Sequence, residues 1–345
     1  MVYNMDMRLK NAKIEPFIIA NLQDHAADIV ALIAKRFDIS RQTAHDYIVN
    51  AIKKGVIVAV GQTNATRYYL TGGKYIEFTT KITSGLKEDI IMKRYISPMI
   101  LEYQENIRGI CYHGFTEIFN NAIDHSEGSV IFTELEKKNN YICITITDNG
   151  IGIFRKIQDA LQLDSEREAI LHLSKGKFTT DPSNHTGEGI FLTSRMCDRF
   201  SIVSDELFYV FEEDEWFLSK EKKEEFGRGT SIQMRISLKS KKTTQEIFDK
   251  YTNQEIGFHK TIVGVALSES PDDPHISRSQ AKRLMMGLEK FKEIALDFRG
   301  VRSVGPAFVD EVFRVFQNQH PEIKIRYYNA VPEVERIIKS GLAKS

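Results

Sequence analysis

The stretch FTEIFNNAIDHS, residues 115–126, carries two stripes of residues that repeat with the period of an α-helix. The apolar stripe predicts a helix with one buried side: Phe115, Ile118, Phe119 and Ala122. Glu117, Asn121 and Asp124 repeat with the same period and form a polar stripe. Asn and Asp are poor helix formers, so this stripe differs from the Lys- and Glu-rich faces that helices usually turn to solvent. By itself it leaves open a solvated face or a binding site.

The composition of the chain is typical of a soluble globular protein. Its 345 residues allow two or three domains, with 42% hydrophobic and 27% charged residues. Lys and Arg together number 47, as do Asp and Glu, so no net charge points to nucleic acid or an acidic partner. Three dispersed cysteines without a CxxC pair argue against a disulfide framework and a zinc site. Without an apolar signal or a long apolar run, a cytoplasmic protein with no membrane segment is expected.

Residues 13–70 alternate between helical and strand patterns in an order that suits a DNA-binding module. Two amphipathic helices flank a tight turn in which Ser40 is placed to cap the second helix, and two short strands with a polar tip at 61–64 follow. This order resembles a winged helix-turn-helix over residues 1–72, whose second helix would expose four polar residues: Arg41, Gln42, His45 and Asn50. Only nine Lys and Arg against six Asp and Glu lie in residues 1–70, so duplex DNA binding and packing or dimerisation both remain open.

The middle of the chain, residues 85–240, predicts a two-layer α/β sandwich after a polar linker at 71–84. Two strands joined by a polar turn lead into a glycine-rich loop that carries Asp148. Near the end of this segment, GTSIQMRISL alternates with one inward face: Thr230, Ile232, Met234, Ile236 and Leu238. Such one-sided strands, combined with helices, indicate a sheet covered on one face. In residues 250–345, strands alternate with helices and predict a further small α/β domain.

Four motifs of the middle segment, in this order along the chain, resemble those of the GHKL ATP-binding fold of gyrase, heat-shock chaperones, mismatch-repair ATPases, sensor histidine kinases and anti-sigma-factor kinases. The polar stripe matches E-x-x-x-N-x-x-D, and DNGIGI, residues 148–153, matches D-x-G-x-G. HTGEGIF matches the glycine-rich end of the ATP lid, and GRGT matches the last motif. The resemblance implies that ATP and Mg²⁺ bind at these residues: Glu117, Asn121, Asp124, Asp148, Gly150, Gly152, Ile153, Gly187, Gly189 and Thr230.

The chemistry of the side chains suits the roles that the resemblance implies. The Asn121 carbonyl would bind Mg²⁺ without adding negative charge beside ATP. Glu117 would orient or deprotonate an attacking water or hydroxyl group. Asp148 would accept a hydrogen bond from the exocyclic amine of adenine, and guanine has no amine at that position. Thr230 would hold the base through its hydroxyl or a water. The glycines would let the backbone approach the base and wrap the phosphates.

The branch of this fold remains open on the sequence alone. His113 lies inside the first-motif helix and is expected to pack there, rather than to accept a phosphoryl group. His125 after NNAID resembles the E-x-x-x-N-A-x-x-H motif of the anti-sigma-factor kinases, whereas Asp124 resembles the hydrolysing branch.

The C-terminal segment resembles the STAS fold of the proteins that anti-sigma-factor kinases phosphorylate. The resemblance lies in IALDFRGVRSVGPAFVDEVF, residues 294–313. The positions of the acceptor serine loop hold no hydroxyl: Gly305, Pro306, Ala307 and Phe308. Arg278, Asp310 and Arg314 are either functional or, as we favour, paired within the domain.

The polar stretch between the second and third motifs, residues 171–190, predicts a mobile ATP lid. Lys175 and Lys177 are either solvated or able to close onto the phosphates. The sequence thus favours a cytoplasmic ATP-binding regulator, a nucleotide-gated switch in transcription with slow ATP hydrolysis. Possible partners are duplex DNA, a protein bound by the STAS-like segment, and a second copy of the chain. The alternatives are a serine/threonine protein kinase that acts on a separate STAS protein, and a non-catalytic scaffold.

Overall fold

The computed structural model describes residues 13–22, 24–61, 66–177, 187–218, 228–253, 257–268 and 277–343. The predicted polar tip at 62–64 and the centre of the predicted lid at 178–186 lie outside these ranges. We refer to residues 13–70 as the N-terminal module, residues 75–253 as the central domain and residues 257–343 as the C-terminal domain. No helix in the described ranges is long and apolar enough to cross a membrane.

The N-terminal module has the predicted order of helix, turn, helix and hairpin. Its elements are α1 (13–21), α2 (Ile29–Phe37), α3 (Arg41–Lys53), β1 (Ile57–Val60) and β2 (Arg67–Leu70). The Ser40 hydroxyl accepts a hydrogen bond from the Thr43 amide at 3.0 Å, which caps α3 as the sequence predicts. The four polar residues predicted on the exposed face of α3 are exposed: Arg41, Gln42, His45 and Asn50.

The hairpin joins the N-terminal module firmly to the central domain. One face of its two strands packs on the helices of the module, while Val58, Val60 and Tyr69 belong to the core of the central domain. Two-sided burial of so short a hairpin leaves little freedom for the module to move as a separate body.

The stretch predicted as a linker contains a strand. Tyr75–Lys81 forms β3, which pairs antiparallel with residues 130–136. Ile76 and Phe78 are buried, and the intervening polar residues face outward. Most residues of this edge strand are polar, so the alternation of buried and exposed side chains that is typical of a strand is difficult to recognise in the sequence.

The central domain is the predicted two-layer α/β sandwich. Its other strands are β4 (Val130–Lys138), β5 (Tyr141–Asp148), β6 (Arg199–Ser204), β7 (Leu207–Glu212), β8 (Glu215–Leu218) and β9 (Ser231–Ser237). With β3 they form one antiparallel sheet in the order β3-β4-β5-β9-β6-β7-β8. Alternate residues of β5 and β9 are buried beneath the helices, which confirms the one-sided strands.

Helices cover the inner face of this sheet. They are α4 (Glu88–Ile91), α5 (Ser97–Ile100), α6 (Glu105–His125), α7 (Ile153–Leu161), α8 (Glu166–Lys175), α9 (Gly189–Met196) and α10 (Thr244–Tyr251), with a π-helical turn at Met92–Ile96. Helix α6 contains the polar stripe, and its apolar stripe is buried as predicted: Phe115, Ile118, Phe119 and Ala122. His113 packs edge-on against Phe248, and its burial lowers its pKa to about 4, so it is a packed residue as expected.

The C-terminal domain is a small α/β layer structure. A two-stranded connection, β10 (Thr252–Asn253) and β11 (Gly257–Phe258), leads into the parallel strands β12 (Lys260–Gly264), β13 (Glu293–Asp297) and β14 (Lys324–Tyr328). Its helices are α11 (Arg278–Met285), α12 (Pro306–Asp310), α13 (Gln317–Gln319) and α14 (Pro332–Leu342), with a π-helical turn at Glu311–Phe316. Asp310 forms ion pairs with Arg278, at 2.8 Å, and with Arg314. These three residues are thus paired within the domain, which is the interpretation that we favoured from the sequence.

Candidate functional site

A cleft opens between α6, α7 and the first turn of α9, and the ends of β5 and β9 form its floor. Eight of the ten residues that the motifs predict as a site line this cleft: Glu117, Asn121, Asp148, Gly152, Ile153, Gly187, Gly189 and Thr230. They come from parts of the chain up to 113 residues apart (230 − 117), so the fold gathers them in one place. Gly150 and Asp124 do not line the cleft.

Asp148 is held at the floor by two backbone amides. Its Oδ1 atom accepts hydrogen bonds from the Gly150 amide at 2.8 Å and the Thr230 amide at 3.3 Å. Burial raises the pKa of the Asp148 carboxyl group above its ordinary value, although these two amides act in the opposite direction. Among the described residues Oδ2 receives no hydrogen bond, so it is available to a donor in the cleft. A fixed, desolvated acceptor of this kind suits an amine on a planar base.

Thr230 connects the floor to the start of α7. Its hydroxyl accepts a hydrogen bond from the Ile153 amide at 2.9 Å, and its carbonyl accepts one from the Asp148 amide at 2.9 Å. Gly152, directly before α7, has a φ of 91°, and a Cβ there would lie 2.6 Å from the Ser204 hydroxyl. Only glycine therefore fits this position.

Gly150 has a different role from the expected approach to a base. A Cβ at this position would overlap the backbone carbonyl of Ser126, directly after the end of α6. The Ile151 amide also donates to that carbonyl at 3.0 Å. Gly150 is therefore required because the loop after β5 packs tightly against the end of α6.

The polar stripe of α6 follows Glu117, Asn121 and His125 rather than Asp124. His125 lines the cleft, whereas the Asp124 side chain is exposed outside it. With 3.6 residues per turn, Asp124 lies just outside the arc of α6 whose residues line the cleft. The expectation that Asp124 contacts the nucleotide is not supported by its position.

Glu117 lies against the N-terminus of α9. Its Oε2 atom occupies the space that a Cβ at Gly189 would need. The Glu188 side chain at the N-cap position makes no capping hydrogen bond, and the N-terminus of a helix attracts anions through its first backbone amides. A carboxylate thus stands beside a position suited to phosphates, away from the Asp148 end of the cleft.

Isoleucine and leucine side chains form the apolar walls of the cleft: Ile118, Ile146, Ile157, Leu173 and Ile232. The motifs also missed Lys156, which lines the cleft and donates to the His125 carbonyl at 2.6 Å and to Glu127 at 3.0 Å. Lys156 thereby satisfies a free carbonyl at the end of α6. In the sequence, Lys156 follows Ile153 by three residues, and this spacing on a helix places the two side chains on the same face. That spacing indicated that Lys156 would lie beside Ile153 in the cleft.

Neither of the two lysines considered for the lid points to the cleft. Lys175 is 3% exposed, and its ammonium donates to the carbonyls of Arg283 and Met286, both at 2.9 Å. Burial lowers its pKa to about 7. Lys177 donates to the Lys290 carbonyl at 2.9 Å. The start of the predicted lid is therefore bound to the C-terminal domain.

The cleft fits a Mg²⁺ ion that arrives with a nucleotide. The Asn121 amide makes no hydrogen bond within the part of the chain that the structure describes, so its oxygen is available. The same residues contain no group of three His, Cys, Asp or Glu side chains that would hold a metal ion by themselves. Mg²⁺ commonly binds through one or two protein ligands and takes the rest from phosphates and water.

Two family models match the chain. Residues 108–240 match the histidine kinase-, DNA gyrase B-, and HSP90-like ATPase family. The central domain contains a GHKL-type ATPase domain. Residues 280–335 match a STAS-like domain of unknown function, and neither match reaches the N-terminal module. A comparison with curated proteins gave no match. The GHKL-type domain implies that the protein binds ATP or ADP.

Proposed function

We propose that the protein is a regulatory ATPase that binds Mg-ATP in the cleft, hydrolyses it slowly and thereby switches its N-terminal module in the control of transcription. The contact between Glu117 and Gly189 carries this proposal, because it puts a carboxylate beside the N-terminus of α9. Phosphates bound at that N-terminus would be within reach of Glu117, which would then act as general base toward water.

The other cleft residues would bind and orient the nucleotide. The Oδ2 atom of Asp148 would accept from the adenine amine, and the apolar walls would pack on the base. Thr230, whose hydroxyl already accepts from Ile153, would donate to the base or to a bridging water. Asn121 would hold Mg²⁺, which when bound would neutralise charge on the phosphates.

The N-terminal module would bind duplex DNA through the exposed face of α3, as in a winged helix-turn-helix. Since Val58, Val60 and Tyr69 fix the hairpin in the central core, α3 would move together with the central domain. Nucleotide binding would then change the spacing of two α3 helices in a homodimer rather than bend a hinge within one chain.

A second candidate is a serine/threonine protein kinase, and the position of His125 favours it. His125 lines the cleft where the E-x-x-x-N-A-x-x-H pattern requires it. The phosphoryl acceptor would be a separate protein. In this chain the C-terminal domain contacts α9 at Phe191 and Arg195, which do not line the cleft, and its segment 305–308 has no hydroxyl.

Incubation of the full chain with γ-labelled ATP and Mg²⁺ separates these functions. Release of free labelled phosphate supports the ATPase, whereas label on an added STAS-type protein without free phosphate supports the kinase. Nucleotide binding with neither product would leave a scaffold that uses ATP only for stability. A complete lack of ATP and ADP binding would contradict all three functions.

A further inference from the structure

A second cavity, of about 300 Å³, lies between the central and C-terminal domains. Its walls come from α8, from β7 and β8 at the edge of the large sheet, and from the C-terminal domain at residues 266–268 and 283. This volume is at the lower end of the range for small-molecule sites, which often occur between domains. No function described above uses this cavity.

The wall formed by the sheet edge is apolar and aromatic. Trp216 is buried and Phe217 is 40% exposed, and both line the cavity beside Leu218. Ile170 of α8 and Leu267 of the C-terminal domain extend the apolar surface to the other side. An accessible surface of this kind at a domain boundary suits the apolar body of a small organic ligand.

Two polar side chains of the cavity lining have no hydrogen-bond partner among the described residues: Trp216, through its buried Nε1 atom, and His172. His172 of α8 is 8% exposed, lines the cavity and makes no hydrogen bond within the described part of the chain. Burial, followed by the charges of Lys175 and Lys290, lowers its pKa to about 3. The ring is therefore neutral, with one N–H donor and one acceptor unused. A ligand in the cavity would supply the hydrogen-bond partner that the described residues do not give the His172 ring.

The cations nearest to the His172 ring favour an anionic ligand at that point of the cavity. Two carboxylates also line the cavity, Glu168 near Arg283 and Glu215 near Arg299. The positive charges of Lys175 and Lys290 both lower the pKa of the His172 ring. The Arg283 guanidinium lines the same cavity and lies 3.7 Å from its nearest acidic partner, Glu168, beyond hydrogen-bonding distance. A carboxylate would receive both the His172 N–H and the attraction of these cations.

We propose that this cavity is a binding site for a small monocarboxylic acid with an aromatic or aliphatic body. The carboxylate lies at His172 and Arg283, and the apolar body lies against Trp216 and Phe217. Helix α8 also contributes Leu173 to the nucleotide cleft, so the ligand contacts the same helix as the nucleotide. The site does not depend on ATP chemistry, and its ligand binds without nucleotide.

Trp216 gives a direct measurement, because it is the only tryptophan in the chain. The full chain is titrated with phenylacetate, as a probe, while the tryptophan fluorescence is followed. We expect a saturable change, and an affinity about tenfold weaker for the uncharged phenylacetamide. No saturable change with phenylacetate up to about 10 mM, or equal affinity for the two compounds, would overturn the proposal.

Variants locate the ligand. His172→Phe keeps an aromatic ring of similar size and should weaken phenylacetate binding about tenfold, whereas His320→Phe, on the C-terminal domain and outside the cavity, should not. Thermal unfolding reports whether His172→Phe still folds. Arg283→Gln, on the opposite wall of the cavity, should weaken phenylacetate binding independently. Asp148→Asn should leave phenylacetate binding unchanged. Unchanged binding in both cavity variants would contradict the site.

Discussion

Gly189 and Arg195 occupy the two ends of helix α9 and connect the nucleotide cleft with the C-terminal domain. Gly189 contacts Glu117 in the cleft, and Arg195 donates to the Ile262 carbonyl of β12 at 3.4 Å. Arg195 is 4% exposed, and its guanidinium stacks on Phe191. Six residues of helix separate the two contacts by about 9 Å. A shift of α9 caused by nucleotide would therefore reach the C-terminal domain directly.

Asp148→Asn should weaken ATP and ADP binding by roughly 10- to 100-fold, because an amide can present a donor to the adenine amine. Calorimetry measures the affinity. Asp164→Asn removes a carboxylate from the exposed loop between α7 and α8 and should leave the affinity unchanged. Equal affinity in the two variants would rule out Asp148 as the base acceptor.

Glu117→Gln should lower the rate of ATP hydrolysis by roughly 10²–10⁴-fold and leave nucleotide affinity nearly unchanged, since it removes a general base but keeps the shape. Phosphate release and ADP titration measure the two quantities separately. A parallel loss of affinity and rate would instead assign Glu117 a structural role.

Gly189→Ala should displace the Glu117 carboxylate, because the added methyl group takes its place. We expect a loss of hydrolysis of roughly tenfold or more, since misplacing a catalytic group by about 1 Å is costly. Gly85→Ala is the matched control, because a Cβ there meets no atom within 4 Å. If Gly189→Ala hydrolyses ATP at the wild-type rate, the contact with Glu117 has no catalytic importance.

Lys175 should make the stability of the protein rise with pH. Its pKa of about 7 in the folded chain is below the ordinary 10.5, so the unfolded chain binds more protons between these two pH values. The free energy of unfolding therefore increases from about pH 7 to 10. Lys175→Met should flatten this increase in chemical denaturation, whereas Lys282→Met, at an exposed position of α11, should keep it. The same slope in all three proteins would refute the burial of a titrating Lys175.

Arg41→Ala should weaken DNA binding if the exposed face of α3 meets DNA. A phosphate contact predicts weaker binding and a smaller salt dependence, and a guanine contact predicts relaxed specificity at one base pair. Arg36→Ala removes the same charge from the exposed surface of α2 and should have a smaller effect. A selection experiment with ATP, ADP and no nucleotide tests the switch. If no DNA is enriched in any condition, the N-terminal module serves protein interactions.

Local patterns in the sequence predicted those parts of the fold that depend on neighbouring residues. The period of residues 115–126 identified helix α6 and its buried side, and the alternation after Thr230 identified β9. The motifs placed Asp148 and Gly152 in the cleft, because a tight strand-to-helix loop restricts residue type strongly. These features follow from backbone geometry over a few residues.

The tertiary structure decided what depends on distant partners. Whether Asp124 or His125 faces the cleft depends on how α6 is rotated against the sheet, and a helical stripe about 100° wide leaves this undetermined. Lys175 resembles a lid lysine in the sequence, but the carbonyls of Arg283 and Met286, more than 100 residues away, bury it. A charged side chain is buried only where distant groups satisfy its hydrogen bonds, and only the folded chain brings those groups together.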